Sequence, residues 1–221
     1  MSDNTIKPMK ALVLGATGAV GKDLVQLLLE DDSFETVTAF VRRPLGFENP
    51  KLTVHIVDFD QPGQWHSLLA GDVLFSCLGT TIKAAGSQDA QWKVDYTYQY
   101  EAAAAARKNG VRTVVLVSAV GASPKSKFFY TRMKGELEEA VKALGFPGCF
   151  ILQPPSLIRK GSDRFGEKAG VVALKAFNAI GLMRSWKPMP TEVVAAAMVR
   201  LAKSGRNETE TFDSQEILKA E

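Results

Sequence analysis

Tyr130 and Lys134 stand four residues apart in the stretch Tyr130-Thr-Arg-Met-Lys134, so on a helix their side chains share one face and reach the same pocket. A free phenol has a pKa near ~10 and is a weak acid at neutral pH, but a neighbouring ammonium that stabilises phenolate makes it a better proton donor and acceptor. Ser118 lies about a dozen residues upstream at the end of an apolar run, where its hydroxyl can hold a carbonyl oxygen while Tyr130 passes it a proton. Ser123 lies close enough in the chain to compete for that role. With a hydride donor alongside, these groups make a complete site for reducing a carbonyl. Each pattern alone has a structural alternative, because Tyr-x-x-x-Lys occurs by chance in helices and a serine commonly closes a strand. The rest of the chain must therefore supply the hydride donor's binding site in the right order.

The first stretch does so. The apolar run Ala11 to Leu14 ends in Gly15-Ala-Thr-Gly18-Ala-Val-Gly21, and Val20, Leu24, Leu27 and Leu28 follow at helical spacing, which reads as strand, turn and helix. Gly15 lets the chain leave the strand sharply, Gly18 lets backbone approach a pyrophosphate, and Gly21 lets the helix pack closely on the sheet. Free N–H groups at the helix start would hold phosphate charge. The spacing GxxGxxG is a variant of the commoner GxGxxG turn, and a tight connection without ligand is its structural alternative. A Walker A loop fits worse, since Asp23 stands where a magnesium-binding Ser or Thr belongs.

The strand expected over Thr36 to Val41 runs into Arg42-Arg43-Pro44. In a Rossmann fold the end of the second strand meets the adenosine ribose, where an acid accepts from the 2′-hydroxyl of NAD and arginine receives the 2′-phosphate of NADP. Here the acid is absent and two arginines are present. A charge-assisted bond to phosphate is worth roughly 1.5–3 kcal/mol, enough for about a tenfold to hundredfold preference for NADP(H). A solvated basic turn is the alternative reading.

A third strand over Leu52 to Val57 ends in Asp58 and Phe59, where the adenine ring would lie. Asp58 can accept from the adenine amino group, and Phe59 is either a contact there or a core residue. A short helix (Gln64 to Leu69) and a fourth strand (Asp72 to Cys77) lead into Leu78-Gly79-Thr80-Thr81 at a sheet edge suited to ligands. Ala90 to Lys108 reads as one helix stopped by Asn109-Gly110, Thr113 to Ser118 as a two-face-buried strand, and Cys149 to Gln153 as a sixth strand. Arg159 to Gly170 reads as a basic loop and Val171 to Met183 as a helical stretch. Thr191 is a candidate cap for a last helix with Val194, Met198 and Leu201 facing the core, followed by a short strand at Thr211 to Asp213.

The totals are those of an ordinary globular protein, with 221 residues, 46% hydrophobic, 23% charged and a net charge of +3. No Pro/Gly/Ser-rich linker divides the chain, so one domain is expected over residues 1–221, with 154–221 as its substrate-side part. No apolar run reaches membrane-span length, and the start Met-Ser-Asp-Asn-Thr-Ile-Lys lacks a signal-peptide core, which leads to the expectation of a cytoplasmic protein with no membrane partner. Basic residues are dispersed without interleaved aromatics, which argues against nucleic acid. Cys77 and Cys149 read as free thiols in strand-like runs, and no metal site is expected, because neither cysteine nor His55 nor His66 has ligand spacing.

These motifs together resemble the short-chain dehydrogenase/reductase superfamily, specifically its atypical NAD(P)-binding branch, similar to the Tat-interacting oxidoreductase-like proteins. The resemblance rests on Gly15 to Gly21, Cys77-Leu-Gly79-Thr-Thr-Ile-Lys-Ala-Ala-Gly86-Ser87, Val94-Asp95, Val117-Ser118-Ala119 and Tyr130 to Glu138. It implies a doubly wound, mainly parallel α/β sheet flanked by helices on both faces. It implies Ser118, Tyr130 and Lys134 as catalytic residues, Gly15, Thr17, Gly18, Val20 and Gly21 as the pyrophosphate loop, and Arg42 and Arg43 as NADP selectors. It further places Asp58 and Phe59 at adenine, and Leu78, Gly79, Thr80, Pro155 and Leu157 on the nicotinamide side. Two positions depart from the pattern. Asp95 stands where classical reductases often carry asparagine, and Gln153 precedes Pro154-Pro155 where relatives commonly carry arginine before one proline.

The leading expectation is an NADP(H)-dependent oxidoreductase acting on a small carbonyl or alcohol substrate, as monomer or homodimer. Two alternatives stay open at this point. One is an NADP(H)-binding regulatory module for a protein partner without turnover, and the other a nucleotide-sugar epimerase or dehydratase, for which the region after Gln153 is short.

Overall fold

The central strands each carry an unbroken apolar run, which demands helices on both sides of a sheet. In β1 (Met9–Leu14), Ala11 and Val13 belong to one buried cluster while Leu12 and Leu14 belong to another, as the two-residue period of a strand requires. The computed structural model, which describes residues 8–158 and 187–219, places β1 as an interior strand, third in order, of a seven-stranded sheet. Its other strands are β2 (Phe34–Val41), β3 (Leu52–Ile56), β4 (Val73–Ser76), β5 (Thr113–Val117), β6 (Gly148–Leu152) and β9 (Thr209–Phe212). The order is β3-β2-β1-β4-β5-β6-β9, and every pairing is parallel. Two-residue strands β7 (Leu157–Ile158) and β8 (Met189–Pro190) pair separately. The sheet is thus the doubly wound parallel sheet expected from the sequence.

One face is covered by α1 (Ala19–Glu30), α6 (Thr191–Lys203) and α7 (Ser214–Lys219). Leu24 and Leu28 of α1, Val194 and Met198 of α6, and Ile217 of α7 are completely buried in one cluster. Each such side chain contributes about 1.5–3 kcal/mol through burial. Lys203 pairs with Asp31 at 2.7 Å and ties the end of α6 to the end of α1. Thr191, expected as a cap, is instead the first helical residue and buried; Pro190 occupies the cap position and contributes no side-chain hydrogen bond. The proline fixes the turn by its φ, which leaves the threonine free to pack.

The other face carries α4 (Tyr98–Lys108) and α5 (Phe129–Ala143). Ala102, Ala103 and Ala106 of α4 and Leu137 and Val141 of α5 pack there around Trp65 and Phe40. The single helix expected over Ala90 to Lys108 has three parts: α3 (Gln88–Trp92), a π-helical turn (Lys93–Thr97), and α4. Before α3 stands the one-turn α2 (Ile82–Ala85), and the short helix expected at Gln64 to Leu69 is two 3-10 turns, Pro62–Gln64 and His66–Leu68. The loop and helix expected over Arg159 to Met183 lie outside the described residues.

The strand order reverses between β1 and β4, and ligands of open parallel sheets bind at the carboxyl ends of strands beside such a reversal. β1 and β4 are paired up to Leu14 and Ser76. Gly15 and Cys77, the next residues of each strand, therefore leave the sheet side by side.

Candidate cofactor cleft and acid–base face

Gly15 has φ +81°, and a Cβ there would lie 2.6 Å from the carbonyl of Cys77. Only glycine fits both the left-handed backbone and the close approach. The Gly18 N–H donates to the Gly15 carbonyl at 2.8 Å, closing the turn, and α1 then starts with neither a capping side chain nor an acid in its first turn. Its first N–H groups have no partner within the helix, and the positive end of the helix dipole faces the switch point. The Val20 side chain is buried in the core, so its backbone is the part suited to phosphate.

Gly15, Thr17, Gly18, Phe40, Val41, Arg42, Phe59, Cys77, Leu78, Gly79 and Val94 line one cleft above this loop. The structure thereby brings together the expected Gly15, Thr17, Gly18, Arg42, Phe59, Leu78 and Gly79. Arg42 and Arg43 are both exposed, and no described carboxylate pairs with either, but only Arg42 lines the cleft. Phe59 is 4% exposed and packs edge-on to Trp65 at 5.1 Å and against Tyr98 at 5.2 Å, so it is a core residue with one edge at the cleft. Asp58 uses Oδ1 to accept the Asp60 N–H at 2.9 Å and lines a separate hollow with His55 and Gln64. Pro155 is buried, while Leu157 sits in β7 opposite Met189; neither reaches the cleft lining. Cys77 and Cys149 are free thiols, and burial pushes them up to about 12 and about 11 respectively.

Tyr130 and Lys134 lie on α5 as the spacing requires, but their surroundings differ. Tyr130 is 40% exposed, and its hydroxyl has no hydrogen-bond partner among the described residues. Desolvation of the hydroxyl, then the Asp95 carboxylate, push the phenol up to about 12. Lys134 is 2% exposed, and its Nζ lies 3.5 Å from Asp95 Oδ1. Burial lowers the Lys134 ammonium and raises the Asp95 carboxyl, each opposed by the charge of the other. Asp95 Oδ2 accepts the Thr80 N–H at 2.8 Å. The lysine's partner in this structure is therefore Asp95.

Ser118 is 5% exposed and donates through its hydroxyl to Glu138 Oε1. Gln153 Nε2 donates to both Glu138 oxygens, at 2.9 and 3.0 Å. Burial raises the Glu138 carboxyl, opposed by these two donors. Ser123 instead donates its N–H to the Thr131 carbonyl at 2.9 Å, and its Oγ accepts from the Lys125 N–H at 3.3 Å. Glu138 and Gln153 went unassigned in the sequence reading. The signal for Glu138 was present, since it continues the four-residue spacing of Tyr130 and Lys134.

A glycine turn, an uncapped helix and a basic strand end gathered at a switch point are the parts of an NAD(P)-binding Rossmann cleft. Solved structures share the architecture. A UDP-glucose 4-epimerase from Thermotoga maritima, solved with UDP-glucose, aligns with TM-score 0.70 at 15% identity over 96% of this chain and 81% of its own. The Bordetella bronchiseptica enzyme WbmG, solved with NAD, aligns with TM-score 0.71 at 14% identity over 99% of this chain and 78% of its own. At such identities the likeness is one of fold. The chain belongs to the NAD(P)H-binding family, whose model matches residues 15–176.

Its relatives include the protein FMP52, mitochondrial, of Saccharomyces cerevisiae, 35% identical over 95% of each chain. The FMP52 protein of Candida glabrata is 41% identical over 69% of this chain and 66% of its own. Both are named as mitochondrial, as is that of Candida albicans, which overturns the expectation of a cytoplasmic protein. The expectation rested on the lack of an apolar signal core or span. Mitochondrial targeting is read from amphipathic, arginine-rich and acid-poor segments, to which that test is blind.

Proposed function

We propose that the protein is an NADP(H)-dependent oxidoreductase that reduces a small carbonyl compound, or oxidises the corresponding alcohol, in the mitochondrial setting that its relatives' names indicate. The observation that carries this reading is the convergence of Arg42 with the Gly15 to Gly18 turn on one cleft, without a described carboxylate to neutralise the guanidinium. A 2′-phosphate suits that position, and the pyrophosphate suits the uncapped start of α1. When bound, the nicotinamide cofactor supplies or takes the hydride.

The chain's own residues then handle the proton. Tyr130, exposed on α5, gives its phenolic proton to the substrate oxygen in reduction and takes one in oxidation. Because its surroundings favour the neutral phenol, the resting site is loaded as an acid. Lys134, four residues further along α5 and paired with Asp95, favours in its charged form the phenolate that forms as the proton leaves. Ser118 hydrogen-bonds to Glu138 below the site. Once Glu138 takes up a proton and donates in its place, the serine hydroxyl is free to turn toward a substrate oxygen.

Calorimetric titration with NADPH and NADH at fixed salt, followed by NADPH-oxidation assays over aldehydes, ketones and quinones, tests the reading. Tighter binding of NADPH and turnover that disappears in Tyr130→Phe are expected. Absence of binding by either nucleotide overturns it. Binding without turnover on any carbonyl class would favour the NADP(H)-binding regulatory module instead.

A further inference from the structure

Ser118 and Gln153 are the first residues past β5 and β6, which run paired as far as Val117 and Leu152. Their backbones are fixed by the sheet, since the Ser118 N–H donates to the Leu152 carbonyl at 2.8 Å and the Gln153 N–H to the Phe212 carbonyl at 2.9 Å. Both side chains meet Glu138 of α5, a residue only 4% exposed. Ser118 donates to Oε1, and the Gln153 amide bridges Oε1 and Oε2 at 2.9 and 3.0 Å.

Neither partner carries a charge. Lys134 and Lys142 flank Glu138 about one turn to either side on α5, but each is taken by another acid, Lys134 by Asp95 at 3.5 Å and Lys142 by Glu139 at 2.9 Å. Among the described residues no cation forms an ion pair with Glu138 itself. At longer range Lys142 favours its ionised form and Glu139 opposes it, and burial outweighs both. The ends of β5 and β6 bring only a hydroxyl and an amide.

A serine hydroxyl has one hydrogen to give. While Glu138 is ionised, that hydrogen sits in a charge-assisted bond, roughly twice as strong as a neutral one, and is withheld from any substrate oxygen. A neutral Glu138 is a weaker acceptor and has a hydrogen of its own to donate. The serine hydrogen can then turn to the oxygen on which charge develops during reduction.

We propose that Gln153 sets the pH range in which the site works: by holding Glu138 with a neutral amide it leaves that carboxyl able to exchange a proton, and the proton decides whether the Ser118 hydroxyl is tied to Glu138 or donated to substrate. Glu138 and Gln153 are positioning residues that act through Ser118. The proposal deepens the oxidoreductase reading and rests on it for the role of Ser118. Reduction is favoured on the acid side of the Glu138 midpoint. An arginine at position 153 would bring a charge to both carboxylate oxygens, keep Glu138 ionised and leave the serine tied.

The test is NMR of the full chain carrying carboxyl-13C-labelled glutamate and Cβ-13C-labelled serine, assigned with Glu138→Gln and Ser118→Ala and followed across pH in wild type and Gln153→Arg. In wild type the Glu138 carboxyl titrates above the ordinary glutamate range, and the Ser118 signal shifts with the same midpoint. In Gln153→Arg the Glu138 midpoint falls by about one pH unit or more, and the Ser118 signal keeps its high-pH position through the neutral range. A wild-type Glu138 midpoint at or below the ordinary range, a Ser118 signal that ignores it, or a midpoint unmoved by the arginine overturns the proposal. If Gln153→Arg does not fold, Gln153→Met takes its place: loss of the amide donors raises the Glu138 midpoint, and an unchanged midpoint overturns the role of Gln153.

Turnover supplies the functional readout, using NADPH and the aldehyde, ketone or quinone that wild type reduces fastest. Its kcat/KM falls as pH rises through the Glu138 midpoint, toward the level of Ser118→Ala, about a hundredfold lower. In Gln153→Arg it stays at the low level through the neutral range. A profile that is flat across the Glu138 midpoint overturns the control of catalysis. If wild type reduces none of these compounds the oxidoreductase reading falls, and the two NMR midpoints still decide whether Glu138 commands Ser118.

Discussion

The Ser118 hydroxyl donates to the carboxylate of Glu138, and the latter continues down α5 from Tyr130 and Lys134 at the same spacing. The end of β5 and the helix bearing the acid–base pair are thereby joined by a buried polar contact, with Gln153 from the end of β6 as its third member. Burial of that carboxylate outweighs the two neutral donors, so it stays protonated to a higher pH than in the unfolded chain.

The pH dependence of stability follows from that. Because burial raises the folded-state pKa of Glu138 above its unfolded value, its contribution is fully present below the unfolded pKa and is lost as pH rises through the folded one. In Glu138→Gln this loss is absent. The stability of the variant relative to wild type should therefore increase from pH 4 toward neutrality, by up to about 1.4 kcal/mol for each pH unit over which the two states differ by a full proton. Urea denaturation across that range checks it, and a flat difference would mean that Glu138 titrates alike in both states.

Helix α5 sits close against the loop before it. A Cβ on Gly135 would lie 2.2 Å from the Ser123 carbonyl carbon and 2.4 Å from the Pro124 nitrogen, both backbone atoms that cannot turn aside. Gly135→Ala should push the helix away and destabilise the protein by about 1–3 kcal/mol or more. Denaturation midpoints read the first effect. Because Tyr130 and Lys134 ride on the same helix, turnover should fall further than the folded fraction alone accounts for.

The two arginines after β2 should separate in function. Arg42 lines the cleft and Arg43 does not, so Arg42→Ala should weaken NADPH binding about tenfold to hundredfold with little effect on NADH. Arg43→Ala should cost less than about threefold, the scale of an exposed charge acting through solvent. Equal losses in both variants would place the phosphate outside the cleft as drawn. Calorimetry at two salt concentrations distinguishes direct contact from general attraction.

Tyr130→Phe removes one oxygen atom from a partly exposed side chain. Turnover should fall by about a hundredfold or more, in the range of general acid catalysis, while NADPH affinity and the denaturation midpoint stay near those of wild type. Retained turnover would assign the proton to another group.

Much of the scaffold was legible because it follows from periodicity. The unbroken apolar run of β1 and the helical spacing of Val20, Leu24 and Leu28 already encode a sheet covered on two sides. Gly15, Gly18 and Gly21 were readable for a related reason, since contacts of 2.6 Å or less at Gly15 and Gly21 leave room for no other residue. The site's wiring was not legible. Asp95 meets Thr80 and Lys134 only because a π-turn re-aims it, and no local pattern in Lys93-Val-Asp95-Tyr-Thr97 announces that turn. Glu138 resembles any solvated acid on an amphipathic helix until the end of β6 brings Gln153 over it. Thr191 was misassigned because the proline before it already did the work of a cap.

Since all seven strands run parallel, the molecule has a working rim and a plain one. Gly15, Arg42, Leu78, Ser118 and Gln153 all leave the sheet at the same rim. The turns entering β2, β4, β5, β6 and β9, around Ser33, Gly71, Arg112, Pro147 and Glu208, emerge at the opposite one. Fluorophores, surface tethers or fused reporter domains attached at Arg112 or Glu208, both exposed, would sit a full strand length from the cleft. Those two positions are the handles from which single-molecule or immobilised assays of this protein can be built.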